Sequence, residues 1–232
     1  MNPSFLSLQR FLDRILETRL ELRILEAGCG STIHFRFKQP IKLTGIDISE
    51  KQLQRNTRLH EAILGDIQYY NFRPSSFDVI ICWTVLEHLR RPELALRNFA
   101  SAVKDDGLII LGLPNVLSIK GLLTKYLPLC FHTWYYRYLI GRKEAGKGDL
   151  GPFKTYLKYT IAPNEIRKFA MHNKLQVFYY DSYDAGDPSY FWLNKGPLAR
   201  YVIAAYNMLW TLAHLLTLGK LGNSEFIIVL KK

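Results

Sequence analysis

Apolar positions along this chain follow two periods in turn. Phe5, Leu8, Phe11, Leu12, Ile15, Leu16 and Leu20 recur at helical spacing and predict a helix over Phe5–Leu22. A short apolar run follows and reads as a buried strand over Arg23–Glu26. Thr32–Lys38 is expected to be helical and to end at Pro40. Lys42–Asp47 reads as a second strand, and Ser49-Glu50-Lys51-Gln52 is a capping-box pattern that starts a helix. A third strand falls within Leu59–Ile67. Val79–Trp83, an apolar run bounded by polar residues, suits a buried parallel strand. Glu93–Val103 is amphipathic with a helical period, and Gly107–Leu113 is a fifth strand closed by Pro114. Farther on come a helix at Glu165–Asn173, a strand at Leu175–Tyr180 and a last strand at Ser224–Lys232. Strands alternating with helices imply an α/β fold, with a doubly wound, mostly parallel sheet covered on both faces.

Two stretches interrupt this alternation, residues 116–158 and 184–222. Both are expected to be cap insertions in a single domain spanning 1–232. The first is aromatic and basic: Tyr126, Phe131, Trp134, Tyr135, Tyr136 and Tyr138 lie among eight lysines and arginines, opposed by Glu144 and Asp149 alone. The second contains Tyr201–Leu218, apolar nearly all round. At about 19 residues it is marginally long enough to cross a bilayer. Asn207, Thr211 and His214 interrupt it, and the strands on either side must join one sheet, which a single span would forbid. A buried lid or core helix, a re-entrant hairpin or an interfacial helix is expected instead.

Composition adds a direction. The 232 residues suffice for one sizeable core, and 48% hydrophobic with 22% charged residues is ordinary for a globular protein. A net charge of +11 with a pI near 9.5 is not ordinary. It points to an acidic partner: an anionic membrane surface, nucleic acid or a phosphorylated substrate. Three cysteines, Cys29, Cys82 and Cys130, make neither a disulfide framework nor a metal spacing, so a reducing, cytoplasmic setting is expected. Charges from Arg10 onward and the lack of a long apolar core give no signal-peptide pattern. No acidic cluster has metal-ligand spacing, so no metal is expected.

The candidate chemistry gathers at Arg23–Ser31. The first strand runs into a turn with two glycines, Gly28 and Gly30, where the backbone can turn tightly and lie against a ligand. The turn amides, at the start of a helix, suit a nucleotide-like ligand. Asp47 follows roughly 20 residues after the turn, where an acid can accept both hydroxyls of a ribose. The dinucleotide pattern G-x-G-x-x-G fails at Ile33, which disfavours a dehydrogenase. Glu26, just before the glycines, repels a diphosphate and attracts a cation. S-adenosylmethionine, an adenosine with a sulfonium and no pyrophosphate, fits.

Five stretches in order resemble the class I S-adenosylmethionine-dependent methyltransferases, of the type 11/12-like small-molecule kind. They are Glu26-Ala-Gly-Cys-Gly-Ser31, Gly45-Ile-Asp-Ile-Ser49, Gly65-Asp-Ile67, Phe77–Leu89 and Lys104–Asn115. The resemblance implies a Rossmann-like methyltransferase fold of seven strands, the last inserted antiparallel beside the fifth. It further implies that Glu26 holds the methionine end, that Gly28, Cys29 and Gly30 offer backbone, and that Asp47 grips the ribose. Ile48 would pack on adenine, Asp66 and the Ile67 amide would bond its edge, and Cys82 and Trp83 would face the methionine moiety. Thr32 stands where the family often has a third glycine.

An oxygen acceptor needs a base. His88, at the mouth after the fourth strand, is the first candidate, Glu87 the second, and His132 could reach in from the aromatic insertion. The Asn/Asp-Pro-Pro-aromatic signature of base-amine methylation is absent, since Cys82-Trp-Thr-Val85 occupies that position. A nucleic-acid acceptor is therefore disfavoured, though the charge alone would suit RNA. The expected acceptor is a small or lipid-linked molecule, a glycolipid or prenylated ring, methylated on oxygen. A non-catalytic cofactor-binding partner subunit is the rival reading.

Overall fold

The computed structural model describes residues 3–139, 141, 143–148, 151–184, 201, 204, 208, 211–212 and 222–232. Seven strands form one sheet: β1 (Leu22–Ala27), β2 (Ile41–Asp47), β3 (Glu61–Leu64), β4 (Phe77–Trp83), β5 (Val103–Pro114), β6 (Gln176–Tyr183) and β7 (Glu225–Lys231). Their order is β3-β2-β1-β4-β5-β7-β6. The first five pair in parallel, and β7 runs antiparallel to both β5 and β6.

Burial on both faces explains the near-continuous apolar runs of the central strands. In β4, Ile80 and Cys82 face one layer while Val79 and Ile81 face the other, the two-residue period of a strand. On one side α1 (Pro3–Ile15) lays Leu8 and Leu12, one turn apart, against β1, β4, β5 and β7. On the other, α3 (Pro92–Ala102) and α6 (Pro163–His172) supply Leu96, Phe99, Ile166 and Ala170. Each begins with proline in its first turn, where the missing N–H costs nothing. The short α2 (Glu50–Arg55) is capped as expected: Ser49 Oγ accepts from the Gln52 amide at 3.3 Å.

Two expected helices differ. The first stops at Ile15 instead of Leu22, because Leu22 is needed in β1 and Leu20 is left 91% exposed. Thr32–Lys38 is not helical. Tertiary contacts outweigh its weak propensity. Gln9 donates to the Arg36 carbonyl and accepts from its amide, Asn56 donates to the Gly30 and Thr32 carbonyls, and Phe35 is buried on Phe5. Thr32 and Ile33, both β-branched, add little helical preference to resist this.

In the first insertion, α4 (Ile119–Tyr126) and α5 (Leu129–Trp134) bury only Gly121 between them and leave Tyr126, Phe131 and Trp134 exposed, as is Tyr138 just beyond. Most of the second insertion lies outside the described residues. Within it Tyr201, Met208 and Leu212 are exposed. Among the described residues no helix is long and apolar enough to cross a membrane.

Candidate active site

The chain runs β1 to β3 toward one edge of the sheet, then β4 and β5 toward the other. The reversal leaves a crevice beyond the carboxyl ends of β1 and β4, where ligands bind in open α/β sheets. A cleft of about 550 Å³ opens there. Gly28, Gly30, Asp47, Ile48, Asp66 and Trp83 line one part of it, and His88, Leu89, Phe153, Lys154 and Tyr156 line another.

The glycine turn is shaped by necessity. Gly28 has φ of +70°, and a Cβ there would come within 2.5 Å of a Val85 methyl. Its amides are committed inward, contrary to the sequence-based expectation. The Gly28 and Cys29 N–H groups both donate to the Ile46 carbonyl, at 2.8 and 3.1 Å, and Gly30 donates to Asp47 Oδ2 at 2.9 Å. With no helix behind it, the turn offers a ligand a surface free of side chains rather than an array of donors.

Asp47 ends β2 with both oxygens anchored, since its Oδ1 accepts from the Ser49 amide at 2.8 Å. Each oxygen keeps a second lone pair for a ribose hydroxyl. Ile48 is 77% exposed, an apolar surface next to that acid. Asp66 is fixed by Gln68, whose backbone and side-chain amides donate to it at 2.8 to 3.0 Å. Gln68 in turn accepts from the Arg91 amide, while Asn98 of α3 donates to the Ile67, Gln68 and Tyr70 carbonyls. Ile67 is buried against the core. Nothing in the sequence distinguishes Gln68 or Asn98 from surface amides.

Glu26 is 2% exposed and is bonded to His34 Nδ1, and His34 reaches the cleft wall. The expected helix concealed this pairing; extended backbone carries His34 back onto the end of β1. Trp83 also reaches the wall, packed edge-on to Phe5 and Phe35 and lying across Gly112 of β5, where a Cβ would clash. Cys82 does not face the cleft. It alternates with Trp83 and is buried in the opposite core layer, where burial pushes its thiol well up. Cys29 does border the cleft, and burial first, then Asp47 and Glu26, push its thiol up to about 12.

The second part of the cleft joins a short 3₁₀ turn, Leu86–His88, to a strap at 153–157. The Tyr156 and Leu157 amides donate to the Glu87 carbonyl at 2.8 and 3.0 Å. His88 Nδ1 lies 3.0 Å from the Lys154 carbonyl, which only accepts, so Nδ1 carries the proton and Nε2 keeps a lone pair. Burial lowers the His88 pKa, which keeps the ring neutral at physiological pH. The Glu87 side chain lies outside the cleft lining. Burial pushes its carboxyl up to about 8, and among the described residues its Oε2 has no partner. A group protonated at neutral pH is no base. His132 bonds the Leu127 carbonyl at 3.2 Å within the insertion and is not among the lining residues. The structure thus brings His88 to the cleft, with Glu87 Oε1 4.0 Å from its Nε2, and leaves Glu87 and His132 out of the lining.

A family model described as a methyltransferase domain matches residues 4–145. A ubiquinone biosynthesis O-methyltransferase of Neisseria meningitidis is 30% identical, with 48% of this chain and 56% of that protein covered. One from Albidiferax ferrireducens is 32% identical over 43% and 46%. The chain thus spans about half the length of the curated relatives it matches. Among solved structures, the YcgJ protein of Bacillus subtilis superposes with a TM-score of 0.58 at 15% identity, covering 100% of this chain and 99% of that one. A magnesium protoporphyrin IX methyltransferase from Synechocystis, with bound S-adenosylhomocysteine, gives 0.52 at 15% identity over 99% and 82%. At these identities the structural likeness establishes the fold.

Proposed function

Because this chain belongs to the class I S-adenosylmethionine-dependent methyltransferases, we propose that it methylates an oxygen of a small, lipid-linked acceptor such as a glycolipid or a prenylated ring. When bound, the cofactor supplies a methyl group on a sulfonium, already activated for in-line displacement. The protein has left to it alignment, exclusion of water and removal of the acceptor proton.

The residues present suit that cofactor. Asp47 and Asp66 are anchored acids with spare lone pairs for the ribose and the adenine edge, and Ile48 is an exposed apolar surface next to Asp47. Gly28 leaves the space that a Cβ would close. Glu26, expected at the methionine end, is buried and outside the cleft lining, and its bonded partner His34 reaches the cleft wall with Trp83. His88 is the base: its ring is neutral and Nδ1 is fixed by the Lys154 carbonyl, while Nε2, 4.0 Å from Glu87 Oε1, keeps the lone pair that would take the acceptor hydroxyl's proton. The observation that carries the reading is a single cleft holding both the anchored acids and this histidine.

The O-methyltransferase relatives support oxygen as the atom methylated. The exposed aromatic face of α4 and α5, with the net charge of +11, supports an acceptor drawn from an anionic membrane surface, with the protein peripheral on its cytoplasmic side. Two experiments test this. Transfer of labelled methyl from S-adenosylmethionine to phenolic or glycolipid acceptors should depend on His88, and transfer confined to nitrogen or carbon would sink the O-methylation. Flotation with anionic vesicles at low salt should carry the protein upward, and its staying behind would remove the membrane.

A further inference from the structure

The two parts of the cleft differ in charge. Asp47 and Asp66 line one, whereas the other carries Lys154, with Arg90 beside it, and no carboxylate among its lining residues. Among the described residues, Lys154 makes no ion pair. Its ammonium lies 5.2 Å from the centre of the Tyr156 ring. Arg90 Nε donates to Tyr156 Oη at 3.0 Å, and the guanidinium stands 5.6 Å over the same ring. That bond uses the phenol as an acceptor and leaves its own proton to donate elsewhere. The Arg90 hydrogen bond first, then the Arg90 and Lys154 charges, hold the phenol below its usual range, which makes it a stronger donor.

The strap that presents these groups is fixed in place. Its backbone is pinned through the Lys154 carbonyl to His88 and through the Tyr156 and Leu157 amides to Glu87, and Leu157 is fully buried. Donors held on pinned backbone lose little freedom on binding. An acidic acceptor is repelled from Asp47 and Asp66 and attracted here, which orients it along the cleft.

We infer that Lys154 and Tyr156 bind an anionic oxygen group of the acceptor, a carboxylate or a phosphate, and so turn its reacting hydroxyl toward His88. This rests on the methyl-acceptor reading above.

The test is calorimetric titration of the protein saturated with S-adenosylhomocysteine, at low salt. The probes are 3,4-dihydroxybenzoate, its neutral methyl ester, and phenyl phosphate. The acid should bind about tenfold more tightly than the ester, as charge-assisted bonds exceed neutral ones. Lys154→Met should abolish that preference, Lys154→Arg should keep most of it, and Tyr156→Phe should reduce it. Tighter binding of the benzoate names a carboxylate, and tighter binding of phenyl phosphate names a phosphate. Binding of neither anion more tightly than the neutral ester, or an anion preference that survives Lys154→Met, would overturn the inference. So would an equal loss of S-adenosylhomocysteine affinity in Lys154→Met, which would assign the cation to the cofactor's own carboxylate. Failure of the parent protein to bind S-adenosylhomocysteine would strike the methyltransferase reading itself; normal binding with no anion preference strikes this inference alone.

Discussion

The two ends of the cleft are held in different ways. At the acidic end, the carboxylates are gripped by amides that lie just beyond strand ends, the Gln68 side chain adding two bonds to Asp66. Gly30 and Ser49 hold Asp47, and Gln68 holds Asp66. At the basic end, contact is made between loops 66 residues apart in sequence, through His88 and the Lys154 carbonyl and through Arg90 and Tyr156. The sheet fixes the first end, and a handful of bonds fix the second. Damage to the cofactor end should therefore cost folding and binding together, while changes at the strap should retune acceptor choice.

Gly28→Val should have the largest effect. It forces a β-branched residue into a left-handed backbone and drives its Cβ onto Val85, so a cost of about 3 kcal/mol or more is expected, with loss of cofactor binding. Thermal denaturation and calorimetry would report both. His88→Gln comes next. It should leave the cofactor affinity alone and lower methyl transfer by about 10²-fold or more, the usual worth of a general base. In the parent, the rate should hold as pH falls to 6.5 and drop only below it, because the histidine pKa is lowered.

Glu87 separates stability from function. Its folded pKa, about 8, lies above that of an unfolded carboxylate, so the folded state binds the extra proton in the window between. Parent stability should therefore fall as pH rises from about 5 to 8, by up to about 1.4 kcal/mol per unit, and Glu87→Gln should remove that slope. Denaturant midpoints across that range decide it. The smallest effect belongs to Ser49→Ala. Asp47 is held by the Ser49 amide, not its hydroxyl, so this variant should lose only the helix cap, about 1 kcal/mol of stability, with cofactor affinity nearly unchanged. A large drop in affinity would mean that the side chain, rather than the backbone, organises the acidic end.

The same contrast decides what could be read from the chain. Strand positions are legible because two-sided burial writes continuous apolar runs, as in Val79–Trp83, whereas Asp47 is legible from its spacing after the glycine turn and Asp66 from the resemblance of Gly65-Asp-Ile67. The committed amides of Gly28 and Cys29 were not, since a donor's partner leaves no mark on its own sequence. Nor was the exchange of Cys82 for Trp83 at the cleft wall, which depends on which face of β4 meets the crevice. His34 was hidden by an expected helix that Gln9, Asn56 and Phe35 prevent. The strap leaves no mark in the sequence because its contacts run through backbone carbonyls and amides far apart in the chain. Tyr201–Leu218 lies largely outside the described residues.

The central claim is that the acidic end is the cofactor end. Calorimetric titration with S-adenosylhomocysteine of the parent and of Asp47→Ala tests it most directly. The account predicts saturable one-site binding to the parent and a loss of at least about tenfold in the variant, since a hydrogen bond to a charged group contributes about 1.5 to 3 kcal/mol. Equal affinity in a folded Asp47→Ala, or no binding to the parent, would contradict it.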